Sequence, residues 1–268
     1  MRALTNSVHI DFEEHGAGVA VLLIHGFPLH RAMWSGQIEA LKKCARLIVP
    51  DLRGFGKSDV PAPPYGMEDF AEDLNGLLWH LRVERVILCG FSMGGYISFA
   101  FQRRFPEKVA GMVLIDTRAD ADSEEARCKR LEMAEAIRRL GVELAAQTMV
   151  PKLLAEQSQR HNPDLVARVT SMICDNSAGG VANAQLAMAS RPDSTFELGR
   201  INCPVLIVVG DRDVLTPVAV SEAMAARLQR CDLRIIGGAG HLTPMEYPER
   251  VNAAIGDYLR DFGETCLG

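Results

Sequence analysis

The chain has 268 residues, a length that suits one α/β domain with an insertion better than two equal domains. Its net charge of −5 argues against a surface that neutralises a phosphate backbone, so no nucleic-acid partner is expected. No apolar stretch approaches the roughly 20 residues of a membrane span, and the first residues lack the apolar core of a secretion signal. We therefore expect no membrane partner and a cytoplasmic location.

The seven cysteines are scattered along the chain and form no C-x-x-C pair. This pattern fits neither a disulfide framework nor a zinc ribbon. It predicts reduced, mostly buried thiols and no metal site.

The predicted elements alternate between strands and helices in most of the chain. Between Thr5 and Phe12, apolar residues alternate with polar ones, which predicts a half-exposed antiparallel edge pair. Apolar runs then predict buried strands at residues 19–24, 46–49, 86–89, 109–115, 204–209 and 233–236. Helical spacing predicts helices around residues 33–41 and over 70–81, 94–104, 217–228 and 248–262. This order predicts an α/β fold with a doubly wound, mostly parallel sheet.

One stretch, residues 117–195, breaks the alternation because it contains helical patterns and no convincing strand. We predict an inserted all-helical cap there, between the two parts of the core at 1–116 and 196–268. Asp122 and Glu125 have the spacing of a capping box that would open the first cap helix.

A G-x-S-x-G motif at residues 90–94 follows the strand 86–89 and precedes an apolar helix. In this context the motif predicts a sharp turn that lifts the Ser92 hydroxyl above the sheet edge as a nucleophile. The backbone N–H of Met93, at the start of the helix, would then point at the place where an oxyanion forms.

A serine nucleophile needs a histidine base and a carboxylate that orients it. His241 follows the last predicted strand and is the expected base; His25 follows the first core strand and competes on position. We assign His25 a structural role in the loop whose Phe27 N–H would be the second oxyanion donor.

Three aspartates compete for the role of the orienting carboxylate. Asp211 and Asp213 follow the strand 204–209, and Asp116 follows the strand 109–115. We choose Asp213, because Asp211 abuts the strand and is better placed to brace the turn. Asp116 stays an alternative, since catalytic triads are defined by geometry rather than by position.

The motifs H-G-F-P, D-L-R-G-F-G-K-S-D, G-F-S-M-G-G, G-D-R-D and G-A-G-H, in that order, resemble the α/β-hydrolase superfamily. The chain is most similar to 3-oxoadipate enol-lactonases and related lactonases or carboxylesterases. The resemblance implies Ser92, Asp213 and His241 as the triad and the Phe27 and Met93 amides as the oxyanion hole. It excludes epoxide hydrolases and haloalkane dehalogenases, which carry aspartate where this chain has Ser92.

These residues predict a serine hydrolase that cleaves a small ester or lactone through an acyl-enzyme, with no metal or organic cofactor. A carbon–carbon hydrolase and a cofactor-free haloperoxidase or perhydrolase share the triad and stay open. A non-catalytic ligand-binding receptor on the same fold is the alternative of another class.

Arg118 is a candidate partner for an anionic substrate. Four cap methionines either line the pocket or fill the core, at positions 133, 149, 172 and 188. The sequence predicts no oligomeric state.

Overall fold

The computed structural model describes residues 1–262, which form one eight-stranded sheet with helices on both faces. The strands are β1 (Arg2–Thr5), β2 (Val8–His15), β3 (Val19–Ile24), β4 (Ala45–Pro50), β5 (Val86–Phe91), β6 (Val109–Ile115), β7 (Val205–Gly210) and β8 (Cys231–Ile236). Helices of the core are α1 (Ser35–Leu41), α2 (Met67–His80), α3 (Met93–Arg104), α9 (Val218–Ala225), α10 (Thr243–Glu246) and α11 (Pro248–Arg260). Between β6 and β7 lie α4 (Glu124–Leu140), α5 (Glu143–Leu153), α6 (Glu156–His161), α7 (Pro163–Cys174) and α8 (Ala178–Ala189).

The sheet order is β1-β2-β4-β3-β5-β6-β7-β8, and only the β1–β2 and β2–β4 pairs are antiparallel. The remaining strands are parallel, so their carboxyl ends meet at one edge of the sheet. Every residue of β5 and β7 is buried, as expected for strands covered by helices on both faces. The predicted doubly wound, mostly parallel sheet is confirmed.

The chain between β6 and β7 forms five helices and no strand, which confirms the inserted helical cap. Its division from the core at residues 117 and 195 stays a prediction. The capping box at Asp122 is wrong: Ser123 is the N-cap of α4 and accepts a hydrogen bond from the Ala126 N–H (3.2 Å). The Asp122 carboxylate is instead engaged in ion pairs with Arg130, in α4, and with Arg191, which follows α8.

Within residues 1–262, the cysteine prediction is confirmed at five positions for the reduced thiols, but the expectation of mostly buried thiols is wrong, because of these five only Cys89 is buried, Cys128 is exposed and the others are half-buried. Five thiols are free, those of Cys89, Cys128, Cys174, Cys203 and Cys231. Cys44 is disulfide-bonded, so the expectation of reduced thiols is wrong at this position. Among residues 1–262, no helix is long and apolar enough to cross a membrane.

The cap and the core come into close backbone contact at Gly180, where a Cβ atom would lie 1.8 Å from the Gly54 carbonyl oxygen. Gly180→Ala should therefore lower the free energy of unfolding by about 1–3 kcal/mol, because backbone must shift to admit the methyl group. Urea unfolding followed by circular dichroism measures this loss.

The matched control is Gly179→Ala in the same helix, where a Cβ would meet nothing closer than the Ser177 Oγ at 3.5 Å. We expect Gly179→Ala to stabilise the protein by up to about 1 kcal/mol, since alanine is the better helix former. Equal losses in the two variants would contradict a close backbone contact at Gly180.

Candidate active site

Ser92 occupies the sharp turn between β5 and α3. Its φ angle of 50° lies in the left-handed region, which non-glycine residues adopt at a cost in free energy. The Ser92 N–H donates to the Ile115 carbonyl (2.9 Å), and the Ser92 carbonyl accepts from the Thr117 hydroxyl (2.7 Å). These bonds to the neighbouring strand hold the turn in its unfavourable conformation.

Gly94 lets the start of α3 approach the end of β3. A Cβ atom at this position would lie 2.2 Å from the Ile24 carbonyl oxygen and 3.1 Å from the His25 carbonyl oxygen. Any side chain would push the helix away from the loop that follows β3. The motif's glycine therefore brings the Met93 end of the helix beside the loop that carries Phe27.

The side chains of Ser92, His241 and Asp213 form a continuous chain of hydrogen bonds. The Ser92 Oγ lies 2.8 Å from the His241 Nε2, and the His241 Nδ1 lies 2.8 Å from the Asp213 Oδ2. His241 is 2% exposed and packs against the Phe91 ring, with 5.2 Å between ring centroids. The fold thus brings together residues that follow β5, β7 and β8.

Asp213 is held in place by its own loop. Its Oδ1 accepts hydrogen bonds from the N–H groups of Leu215 (2.8 Å) and Thr216 (2.9 Å), and its Oδ2 accepts from the Thr216 hydroxyl. Burial acts to raise the pKa of Asp213, but the charge of His241 and the hydrogen bonds from His241 and Thr216 outweigh it, so the pKa lies below its usual value. Asp213 is therefore ionised beside His241.

The other two aspartates make no hydrogen bond to His241 among the described residues. Asp116 makes its hydrogen bonds with the Gly210 N–H (2.9 Å) and with the N–H and hydroxyl of Thr243. Burial and the nearby charge of Asp213 raise the pKa of Asp116 well above its usual value. Asp211 accepts from the Gly238 N–H (2.7 Å) and so braces the turn that precedes His241.

His25 joins two loops and does not contact Ser92 through a hydrogen bond in the described chain. Its Nδ1 is 3.1 Å from the Gly26 carbonyl, and its Nε2 accepts from the Leu52 N–H (3.0 Å). Full burial lowers the pKa of His25 to about 4, so the ring is neutral near pH 7. In that state Nδ1 donates to Gly26 and secures the loop that carries Phe27.

The amides of Phe27 and Met93 remain available to a ligand. Within residues 1–262, neither N–H donates a hydrogen bond to another protein atom. Met93 is the first residue of α3, so its N–H has no acceptor within the helix. The two amides stay the predicted oxyanion donors.

The cap contacts the histidine loop as well as the core sheet. Glu246 accepts one hydrogen bond from the Gly240 N–H (2.8 Å) and another from the Ala155 N–H (2.9 Å). The Leu242 N–H donates to the Leu153 carbonyl (2.8 Å). The residues on both sides of His241 are therefore tied to the connection between α5 and α6. Glu246 and Thr216 could not be predicted from the sequence, because a single acid or hydroxyl has no distinctive spacing.

A cleft of about 140 Å³ lies between Phe27 and the cap helices α4, α5 and α8. Met133 and Met149 line this cleft, whereas Met172 and Met188 are buried in the core. Arg118 is not in the cleft lining and pairs with Asp120. The cleft has a basic rim of Lys129, Arg130 and Lys152. Among residues 1–262, no cluster of histidine, cysteine, aspartate and glutamate could hold a metal ion.

The profile of the alpha/beta hydrolase fold matches residues 19–248, most of the chain. The chain belongs to the α/β-hydrolase family. A solved structure of a thermophilic esterase from Thermogutta terrifontis, described as malate bound, superposes on this α/β-hydrolase with a TM-score of 0.95. The two are 44% identical, over 97% of this chain and 98% of the esterase.

Two curated relatives of this α/β-hydrolase carry the names of different reactions. The 3-oxoadipate enol-lactonase 2 of Acinetobacter baylyi is 27% identical over 91% of this chain and 89% of the relative. A putative non-heme chloroperoxidase of a Synechocystis species is 29% identical over 95% of this chain and 97% of the relative. The comparisons therefore establish the family and a hydrolase fold, and leave the reaction to be argued from the site.

The neutral state of His25 has a consequence for stability below neutral pH. A histidine in the unfolded chain titrates near 6.5 and His25 in the native state near 4, so the unfolded state binds more protons between these values. Stability should fall as the pH drops from 6.5 to 4, by about 3 kcal/mol from this group.

His25→Gln should remove that contribution, so urea unfolding at pH 7, 5.5 and 4 should give a flatter profile of stability against pH. His161→Gln, at an exposed histidine, is the control and should keep the wild-type slope. A His25→Gln profile as steep as wild type would contradict the buried neutral ring.

Proposed function

We propose that this α/β-hydrolase cleaves small carboxylic esters or lactones through an acyl-enzyme on Ser92. The observation that carries the proposal is the 2.8 Å contact between the Ser92 Oγ and the His241 Nε2, with Asp213 bonded to the other ring nitrogen. A neutral imidazole placed in this way accepts the serine proton as the hydroxyl attacks a carbonyl.

In the first half of the reaction, the Ser92 Oγ bonds to the substrate carbonyl carbon and its proton moves to His241 Nε2. Asp213 accepts the hydrogen bond from His241 Nδ1 and stabilises the imidazolium that forms. The Phe27 and Met93 amides donate to the carbonyl oxygen as it becomes negative, and each is worth about 3 kcal/mol to the transition state. The tetrahedral intermediate then expels the alcohol oxygen, which takes the proton from His241.

In the second half, His241 removes a proton from a water molecule as its oxygen attacks the acyl carbon. The same two amides stabilise the second tetrahedral intermediate. Its collapse returns the proton to the Ser92 Oγ and releases the carboxylic acid. No net proton is left on His241 at the end of the cycle.

We place a small, largely apolar acyl group in the cleft beside Phe27, because Phe27 carries a proposed oxyanion donor; neither Ser92 nor His241 belongs to the lining of this cleft. Its lining includes Ile137, Ala145 and the two methionines, whose flexible side chains adapt to different shapes. The esterase relative at 44% identity supports ester chemistry, and the enol-lactonase relative supports a lactone. On the basic rim, Lys129 pairs with Glu125 and Arg130 with Asp122, whereas Lys152 has no ion pair in the described chain. A carboxylate on the substrate would therefore meet Lys152 rather than Arg118.

The first test is labelling with an organophosphonate, together with turnover of p-nitrophenyl acetate and butyrate. We expect the wild type to be labelled at Ser92 and to hydrolyse both esters, and Ser92→Ala to do neither while keeping its fold. A folded but unlabelled wild type would favour the ligand-binding receptor. A labelled enzyme that leaves esters and lactones intact but cleaves a carbon–carbon bond, or brominates with peroxide, would assign it to one of the other two reactions.

A second test separates the two buried carboxylates. Asp213→Asn should lower kcat by about 10⁴-fold, because the amide no longer selects the right tautomer of His241. Asp116→Asn should change kcat by about tenfold or less, since Asp116 makes no hydrogen bond to His241 in the described chain. Ester hydrolysis by both variants, with circular dichroism as a check of folding, measures the difference. The reverse order of the two losses would make Asp116 the orienting acid.

A further inference from the structure

The side chain of Asn176 connects the cap to the turn that carries Phe27. Asn176 lies between α7 and α8 and is 5% exposed. Its Nδ2 donates to the Pro28 carbonyl (2.9 Å) and to the Met172 carbonyl (3.0 Å), and its Oδ1 accepts from the Gly56 N–H (2.7 Å). The amide is thus fixed in one orientation by three hydrogen bonds to three separate segments.

The turn at Gly26–Leu29 is held from two sides. The Leu29 N–H donates to the Gly26 carbonyl (3.0 Å), and His25 bonds to the same carbonyl from the core. Pro28 has no N–H of its own, so its carbonyl is its one backbone group that can anchor the turn. Within residues 1–262, Asn176 is the one hydrogen-bond donor to that carbonyl. Without it, the side of the turn that faces the cap has no hydrogen bond.

We propose that Asn176 is a positioning residue for the oxyanion hole, through which the cap sets the direction of the Phe27 N–H. The inference rests on the proposed function, because it matters only if the Phe27 amide binds an oxyanion. The physical reason is geometric: a donor supports the transition state only when it is held at hydrogen-bond distance from the developing charge. A displacement of about 1 Å at such a group costs about 100-fold in rate.

Asn183 provides a matched control. It is also a cap asparagine with 5% exposure, and its Nδ2 also donates to the carbonyl of a core proline, Pro61 (3.3 Å). Its Oδ1 accepts from Arg138 (2.6 Å). Pro61 lies outside the turn that carries Phe27, so Asn183→Ala removes a similar tie between cap and core without touching the proposed oxyanion hole.

The experiment compares wild type, Asn176→Ala, Asn176→Asp and Asn183→Ala with two inhibitors of the same chain length. A trifluoromethyl ketone forms a serine adduct whose oxygen is an anion, whereas the corresponding trifluoromethyl carbinol forms no adduct and reports binding alone. For Asn176→Ala we expect kcat to fall by about 10- to 100-fold and the Ki of the ketone to rise by a similar factor. The KM of a p-nitrophenyl ester and the Ki of the carbinol should stay within about threefold of wild type.

Asn176→Asp should lose at least as much kcat and ketone affinity as Asn176→Ala, because a carboxylate oxygen would face the Pro28 and Met172 carbonyls. Asn183→Ala should lower the Tm about as much as Asn176→Ala does. It should leave kcat and the ketone Ki within about threefold of wild type. The inference is overturned if the ketone binds Asn176→Ala as tightly as wild type, if carbinol binding weakens in parallel, or if Asn183→Ala shows the same selective loss. A wild type that forms no ketone adduct would overturn the proposed function, and with it the inference.

Discussion

The strained turn at Ser92 is the constraint on which the rest of the site depends. A serine with φ of 50° is held in place by hydrogen bonds of its N–H to Ile115, at the end of β6, and of its carbonyl to Thr117, two residues later. The same turn begins α3, and the close approach of Gly94 to the end of β3 fixes where that helix starts. The position of the hydroxyl, the direction of the Met93 amide and the distance to the Phe27 loop therefore follow from one local conformation.

Two buried carboxylates, those of Asp213 and Asp116, lie near each other, and their surroundings shift their pKa values in opposite directions. Asp213 accepts two backbone N–H groups, a hydroxyl and the His241 ring, which together favour its ionised form. Asp116 is more deeply buried and feels the charge of Asp213, which raises its pKa. One charged carboxylate therefore faces His241, and the other joins the ends of β6 and β7 to the start of α10 at Thr243.

The cap contributes more than a cover for the cleft. It reaches the histidine loop through Glu246 and Leu242, and it reaches the Phe27 turn through Asn176. The cap therefore contacts both the loop of the proposed base and the turn of a proposed oxyanion donor.

The sequence by itself determined the strands, the place of the helical insertion and the residues at the strand ends, because burial in a parallel sheet leaves continuous apolar runs and sharp turns need glycine. Only the tertiary structure favours Asp213 over Asp116 as the proposed orienting acid, since both follow buried strands and, among the described residues, only Asp213 hydrogen-bonds to His241. It also decided that Ser123 rather than Asp122 caps α4, and that Arg118 is bound to Asp120. The roles of Asn176 and Glu246 could not be predicted from the sequence for the same reason. Each side chain hydrogen-bonds to a backbone group far away along the chain, and such contacts leave no spacing pattern.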